Sequence, residues 1–367
     1  MKNFFVLWAA ITAVTLAACS DAQEIPDGTP VGLVRLNLTD PLRTNWEETG
    51  PRPLTTSIWY PATEGSEMEE IGIPPNRPVF IGGFAARDAK LPIAPERFPL
   101  IIISHGTGGA GMQMMWLGRA LAEQGYIVAA VDHHGNTAAE DSFDPRGFRM
   151  PWERPRDISA VLDLLLAHPD WAPRIDASNI GAVGFSLGGY TVTALAGARL
   201  DFDLFIEFCQ SSERDATCDE QSEFPDAGKQ FEAMLEADPD LAARMGEHNA
   251  DYSDNRIHAV ITLAPAIASA LTEESLAKIE IPYLSIVGEL DDIAPAATNA
   301  NRLAEYIPGA QIVLLSGSDH YSFINRCNSR GQRFVPICKD PADTSRAQIH
   351  EQTIGHALEF FQVNLNK

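Results

Sequence analysis

Positive charge is scarce in this chain. Its 27 Lys and Arg face 50 Asp and Glu, for a formal net charge of −23 over 367 residues. A nucleic-acid partner would require the opposite sign, and an anionic membrane surface would repel such a chain. Cysteine is also sparse, with five in all. There is no CxxC and no HExxH, so no metal is expected. The glycine-rich "GTGGAG" lacks the Lys-Ser/Thr that completes a phosphate loop, so no cofactor is expected. Internal repeats are missing as well. What remains is 45% hydrophobic and 21% charged. That composition is ordered rather than disordered, and ample for one large α/β domain or two smaller ones.

The one apolar stretch outside the expected core is at the N-terminus. "MKNFFVLWAAITAVTLAAC" carries Lys2, then an apolar run too short for a comfortable membrane span, then small residues ending at Cys19. Residues 1–18 read as a signal peptide. "LAAC" resembles the bacterial lipobox, which implies cleavage before Cys19 and lipidation of its thiol. Ser20, next in line, implies sorting to the outer membrane by the same resemblance. Residues 19–30 read as a polar tether, so contact with a membrane is expected only through the lipid anchor. Four cysteines are left, Cys209, Cys218, Cys327 and Cys338, an even number that suits disulfides in an oxidising compartment. Three connectivities are possible; the local pairs Cys209–Cys218 and Cys327–Cys338 are the simplest.

Along residues 31–367, apolar strand-like runs alternate with helical spacing. Two antiparallel strands are expected at 31–38 and 55–61, followed by a long Pro- and Gly-rich loop over 61–97. The continuous apolar runs at 98–106, 126–135, 179–186, 258–265, 282–290 and 310–317 predict strands buried on both faces. Helices are predicted at 112–125, 154–168, 187–198 and 296–307, with a last one around 345–362. Alternation of this kind gives a mostly parallel eight-stranded sheet with helices on both faces. Residues 199–256, rich in Asp and Glu and holding two cysteines, interrupt the rhythm as a small cap insertion.

"GAVGFSLGG" places Ser186 between Gly184 and Gly188, after a predicted strand and before a predicted helix. That is the context in which a serine hydroxyl projects from a sharp turn as a nucleophile. A serine needs a base to take its proton, and the chain order for this architecture is Ser, then acid, then His. His320, in "SGSDHYSF" after the last strand, is the expected base. Asp291 and Asp292, in "VGELDDIAP", are the candidate acids, while Asp319 is expected to support its own loop. The backbone N–H groups of Leu187 and Thr107 are the expected oxyanion donors. His105 is expected to pack behind them, and His133 and His134 to serve loop structure or a pocket wall. His168, His258, His350 and His356 are read as structural. Met112, Met114, Met115 and Trp116 fit either an apolar pocket wall or helix core.

Taken in order, "LTTSIWYPA", "FPLIIISHGTGG", "YIVAAVDHHGN", "RPRDISAVLDLLL", "GAVGFSLGGYT", "IPYLSIVGELDDIAP" and "SGSDHYSF" resemble the α/β-hydrolase superfamily. Within it, the chain looks like the bacterial predicted dienelactone hydrolases that group with platelet-activating-factor acetylhydrolases, over roughly residues 30–362. Two departures matter. The eukaryotic acetylhydrolases carry their acid after strand six, where this chain has "ITLAPAIAS" without a carboxylate. True dienelactone hydrolases use a cysteine nucleophile, where this chain has Ser186. The G-x-x-D-x-x-x-P pattern of related hydrolases falls on Gly288, Asp291 and Pro295, which favours Asp291 over Asp292. The resemblance implies a serine hydrolase acting on a small-molecule or lipid ester through an acyl-enzyme. An amidase or peptidase with the same triad and a phospholipid acetyl-ester hydrolase are the alternatives. A non-catalytic binding lipoprotein is disfavoured by the intact Ser-Asp-His set.

Overall fold

A computed structural model describes residues 28–342 and 344–365. The expected signal peptide, Cys19 and the tether up to residue 27 lie outside the described residues. Among the described residues eleven strands form: β1 (Val31–Thr44), β2 (Pro51–Pro61), β3 (Glu69–Ile73), β4 (Phe80–Arg87), β5 (Phe98–Ser104), β6 (Ile127–Val131), β7 (Ile175–Phe185), β8 (Ala259–Leu263), β9 (Tyr283–Gly288), β10 (Gln311–Leu315) and β11 (Arg326–Cys327). They lie in the order β10-β9-β8-β7-β5-β6-β2-β1-β4-β11, with β3 paired to β4. Strands β5 to β10 run parallel, whereas β2 joins β6 and β1 in antiparallel pairs.

All eight expected strands are present, and three short ones extend the sheet beyond β1. Two of these, β3 and β4, occupy the stretch expected to be a loop. "EEIGI" and "FIGGFAAR" combine glycine with partly exposed positions, so neither shows the continuous apolar run of a doubly covered strand.

The central strands explain the two cores. Successive side chains of a strand point to opposite faces. Leu100 and Ile102 of β5 therefore pack with Ala129, Ile180 and Ala182 toward the helices Glu153–Ala167 and Leu187–Leu195. Ile101 and Ile103 pack with Val128, Ala130 and Val183 toward the helices Met115–Glu123 and Arg346–Asn364. The insertion adds Phe231 and Leu241 to the first core. Disulfides join Cys209 to Cys218 and Cys327 to Cys338. Within residues 199–256, Asp215 accepts hydrogen bonds from Thr298 Oγ1 at 2.5 Å and Asn299 Nδ2 at 3.0 Å, which ties this segment to the loop after β9.

Strand order reverses at β5: the chain crosses to β6 on one side and then to β7 on the other. Such a switch point opens a crevice at the carboxyl ends of the strands. The loops leaving β5 and β7 meet there.

Candidate active site

Ser186 stands at the end of β7 with φ 54° and ψ −119°, a left-handed backbone held by its surroundings. The two glycines that flank it make the turn possible by removing side chains. A Cβ on Gly184 would lie 2.0 Å from the Gly188 carbonyl oxygen, and one on Gly188 would lie 2.0 Å from the Ser104 carbonyl oxygen. Ser186 N–H donates to the Leu263 carbonyl at 2.9 Å, which fixes the elbow to β8. Leu187 opens the following helix, so its N–H has no intrahelical acceptor.

His320 begins a short 3₁₀ turn after β10. Its Nε2 lies 2.9 Å from Ser186 Oγ, and its Nδ1 lies 2.8 Å from Asp291 Oδ2. Asp291 is buried, and its other oxygen accepts the backbone N–H of Ile293 at 3.1 Å and of Ala294 at 2.8 Å. Asp292 is exposed. Asp319 bonds Ser322 Oγ at 2.7 Å and so braces its own turn. Phe185, which the sequence left without a role, packs its ring 5.2 Å from the His320 ring.

The loop after β5 runs against Ser186: a Cβ on Gly106 would sit 3.1 Å from the Ser186 Cβ. His105 Nδ1 donates to the Gly106 carbonyl at 2.7 Å, and Gly109 N–H donates to the same oxygen at 3.2 Å. In a trans peptide the C=O and the following N–H point in opposite directions. Turning the Gly106 carbonyl back onto His105 therefore turns the Thr107 N–H away from it. That N–H has no acceptor among the described residues. His105 is fully buried, and burial, reinforced by Arg154 and His133, holds its imidazole well below the usual range and hence neutral.

Beneath this loop lies a buried polar network. Asp157 Oδ1 accepts from Arg52 Nε at 2.7 Å and lies 2.8 Å from Arg43 Nη2, while Asp157 Oδ2 stands 3.1 Å from His133 Nδ1. His133 Nε2 in turn stands 2.9 Å from Ser104 Oγ. Arg154 donates to Thr191 Oγ1 at 3.1 Å, to Ser104 Oγ at 3.3 Å and to the His105 carbonyl. Burial pulls His133 down to about 3, with Arg154 acting in the same direction, so the ring is neutral. Burial pushes the Asp157 carboxyl up, but Arg52, Arg43 and the His133 hydrogen bond outweigh it and hold it well below the carboxylate range. Ser104, His133 and Asp157 thus repeat the hydrogen-bonded connectivity of Ser186, His320 and Asp291, but Ser104 is fully buried where Ser186 keeps 8% of its surface exposed. Sequence reasoning missed this network. Its signal was a pair of charges, Arg154 and Asp157, one helical turn apart on the face of a helix that must cover the sheet.

The remaining expectations divide. Met114, Met115 and Trp116 are core, and Trp116 stacks on His350 at 3.8 Å. Met112 instead lines a cavity of about 330 Å³ with Leu33, Ile71 and Asp132. His134 serves loop structure: Nε2 accepts the Trp46 N–H at 3.0 Å and Nδ1 meets Glu140 at 2.8 Å. Among the described residues, no group of three or more His, Cys, Asp or Glu is placed to hold a metal ion, and no helix is long and apolar enough to cross a membrane.

A solved structure titled as a ferulic acid esterase from Streptomyces cinnamoneus superposes on the chain with a TM-score of 0.61, covering 95% of this chain and 92% of that one at 22% identity. This is the α/β-hydrolase fold. A family model described as platelet-activating factor acetylhydrolase, isoform II, matches residues 85–147 of this chain, a span that holds the loop after β5 and stops short of Ser186. Cutinase est1 of Thermobifida alba is 25% identical over 252 residues, 65% of this chain and 74% of that protein. Cutinase est2 of the same organism is 32% identical over 126 residues, 34% of this chain and 38% of that protein.

Proposed function

We propose that this α/β-hydrolase cleaves carboxylic esters through an acyl-enzyme, with Ser186 as nucleophile, His320 as base and then acid, and Asp291 as the carboxylate that fixes the imidazole. The observation that carries this reading is the continuous hydrogen-bonded run from Ser186 Oγ through His320 to Asp291 Oδ2, at 2.9 and 2.8 Å. The similarity to a ferulic acid esterase and to two cutinases supports ester hydrolysis.

In this mechanism Ser186 Oγ bonds to the ester carbonyl carbon as its proton passes to His320 Nε2. The carbonyl electron pair moves onto oxygen, where the N–H groups of Leu187 and Thr107 receive it; each such donor is worth roughly 10²–10³ in rate. Collapse of the tetrahedral species breaks the C–O bond to the alcohol, which leaves with the proton held on Nε2. Water then attacks the acyl-enzyme by the same route, giving the carboxylic acid and free Ser186. Asp291 keeps the proton of His320 on Nδ1 throughout, so that Nε2 is free to accept. The 199–256 insertion serves as the cap over the bound ester.

Export and lipid attachment at Cys19 complete the proposal, supported by the "LAAC" motif and by two disulfides of the kind that persist outside the cytosol. The test is turnover of p-nitrophenyl butyrate by the protein beginning after Cys19. Ser186→Ala should lower kcat by about 10⁶ and abolish fluorophosphonate labelling. Wild-type turnover no faster than that of the variant would sink the reading.

A further inference from the structure

One side chain of the insertion reaches the oxyanion loop. A Cβ on Gly108 would lie 2.8 Å from Glu223 Cγ and 2.9 Å from Glu223 Cβ, so Glu223 rests directly on that loop. Its neighbours hold it there from both sides. Phe224 stacks on Phe143 at 6.1 Å and meets Phe148 edge-on at 5.3 Å. Ser222 lies beside the phenol of Tyr321, the residue after His320. Burial pushes that phenol up to about 12, and the charges of Glu223, Asp291 and Asp292 add to the effect. The stretch 222–224 therefore bridges from the turn that bears His320, across the oxyanion loop, to the Phe143–Phe148 pair.

The Glu223 carboxylate has one hydrogen-bond partner, Ser222 Oγ at 3.2 Å, and no arginine, lysine or histidine pairs with it among the described residues. A carboxylate without a cationic partner is thus anchored on the loop whose Gly106 faces Ser186. The Phe143, Phe148 and Phe224 rings beside it offer apolar surface and no counter-charge.

We propose that Glu223 is a specificity-determining residue that selects esters by charge, rejecting those with an anionic group in the acyl part and accepting uncharged ones. This inference rests on the ester-hydrolase reading above. Two unit charges some 8 Å apart at a protein surface interact strongly enough to change a rate ratio roughly three- to tenfold.

The test compares kcat/KM for the p-nitrophenyl ester of butyric acid with that for the p-nitrophenyl hemiester of succinic acid, in low and high salt. The reading is the ratio of the anionic to the uncharged ester. In Glu223→Gln the ratio should rise roughly three- to tenfold, in Glu223→Lys further, and the difference between variants should shrink in about 0.5 M salt as charges are screened. A ratio within twofold of wild type in both variants would overturn the inference while leaving the ester reading intact. Failure of the wild-type protein to hydrolyse the uncharged ester would remove both.

Discussion

Asp291→Asn should disable the enzyme through a tautomer rather than through lost structure. Asp291 Oδ1 accepts two backbone N–H groups, from Ile293 and Ala294, while Oδ2 faces His320 Nδ1. In the asparagine variant the amide oxygen must stay with the two N–H donors. The opposite orientation would set an NH₂ against both of them and strand buried donors at about 1–3 kcal/mol each. The NH₂ is thereby aimed at His320 Nδ1, which must become an acceptor, so the imidazole proton moves to Nε2. An Nε2–H that faces Ser186 Oγ at 2.9 Å donates to it and cannot take its proton. The expected loss in kcat is about 10⁴, or roughly 5.5 kcal/mol of transition-state stabilisation. The assay is steady-state hydrolysis of p-nitrophenyl butyrate, with phosphonate titration to count active sites and a thermal melt to confirm the fold. Asp292→Asn, at an exposed position, is the control and should stay within about twofold. If Asp291→Asn retains activity within tenfold of wild type, or if Asp292→Asn is the variant that collapses, the assignment of the acid is wrong.

Other consequences are open to measurement. Gly188→Ala would drive a Cβ to 2.0 Å from the Ser104 carbonyl oxygen, a backbone atom that can retreat only by moving the loop after β5. It should lose about 1–3 kcal/mol in urea unfolding and at least a hundredfold in kcat; normal activity would refute the packing argument. Arg52→Ala removes the bidentate partner of buried Asp157, at 2.7 and 3.2 Å, and should cost about 3–5 kcal/mol. Adding Asp157→Asn should recover part of that loss; no recovery would show that the pair is not coupled. Burial holds His350 at about 3 in the fold, whereas an unfolded imidazole takes up its proton near 6.5. Between those values the unfolded chain binds more protons, so stability falls with falling pH by about 1.4 kcal/mol per unit for each such histidine. His350→Gln should flatten the slope by that amount between pH 6 and 4; parallel slopes would refute it.

Much of the candidate site is legible in the sequence, because the residues proposed for it announce themselves locally. Ser186 sits in a turn motif between an apolar strand and a helix. His320 and Asp291 each follow an apolar run, so the topology of a parallel sheet sends them to one end. Thr107 can be named from its place after His-Gly, although the reason its N–H is turned outward, the His105 bond to the Gly106 carbonyl, is a matter of three-dimensional contact. The strands β3 and β4 are hidden because strands at the margin of the sheet, beyond β1, need neither a long apolar run nor clean alternation. Phe185 is unreadable for a different reason: its contact partner, His320, is 135 residues away along the chain. Arg52 and Arg154 escape because a charge inside a core is legible only when its partner is known. Asp157 is 105 residues from Arg52 in sequence and in direct contact with it in space.

The Ser104–His133–Asp157 array carries a wider lesson about what makes a hydroxyl reactive. Its Ser–His distance, 2.9 Å, equals that of the Ser186 array, and its His–Asp distance is 3.1 Å against 2.8 Å. Yet Ser104 Oγ also accepts from Arg154, and neither substrate nor water can reach it. One chain therefore contains its own control experiment, two copies of a proton-relay geometry that differ in access and in the company of a cation. A search for serine nucleophiles by interatomic distance alone would return both. Exposure to reactants and a place to store the departing negative charge distinguish a working relay from a brace.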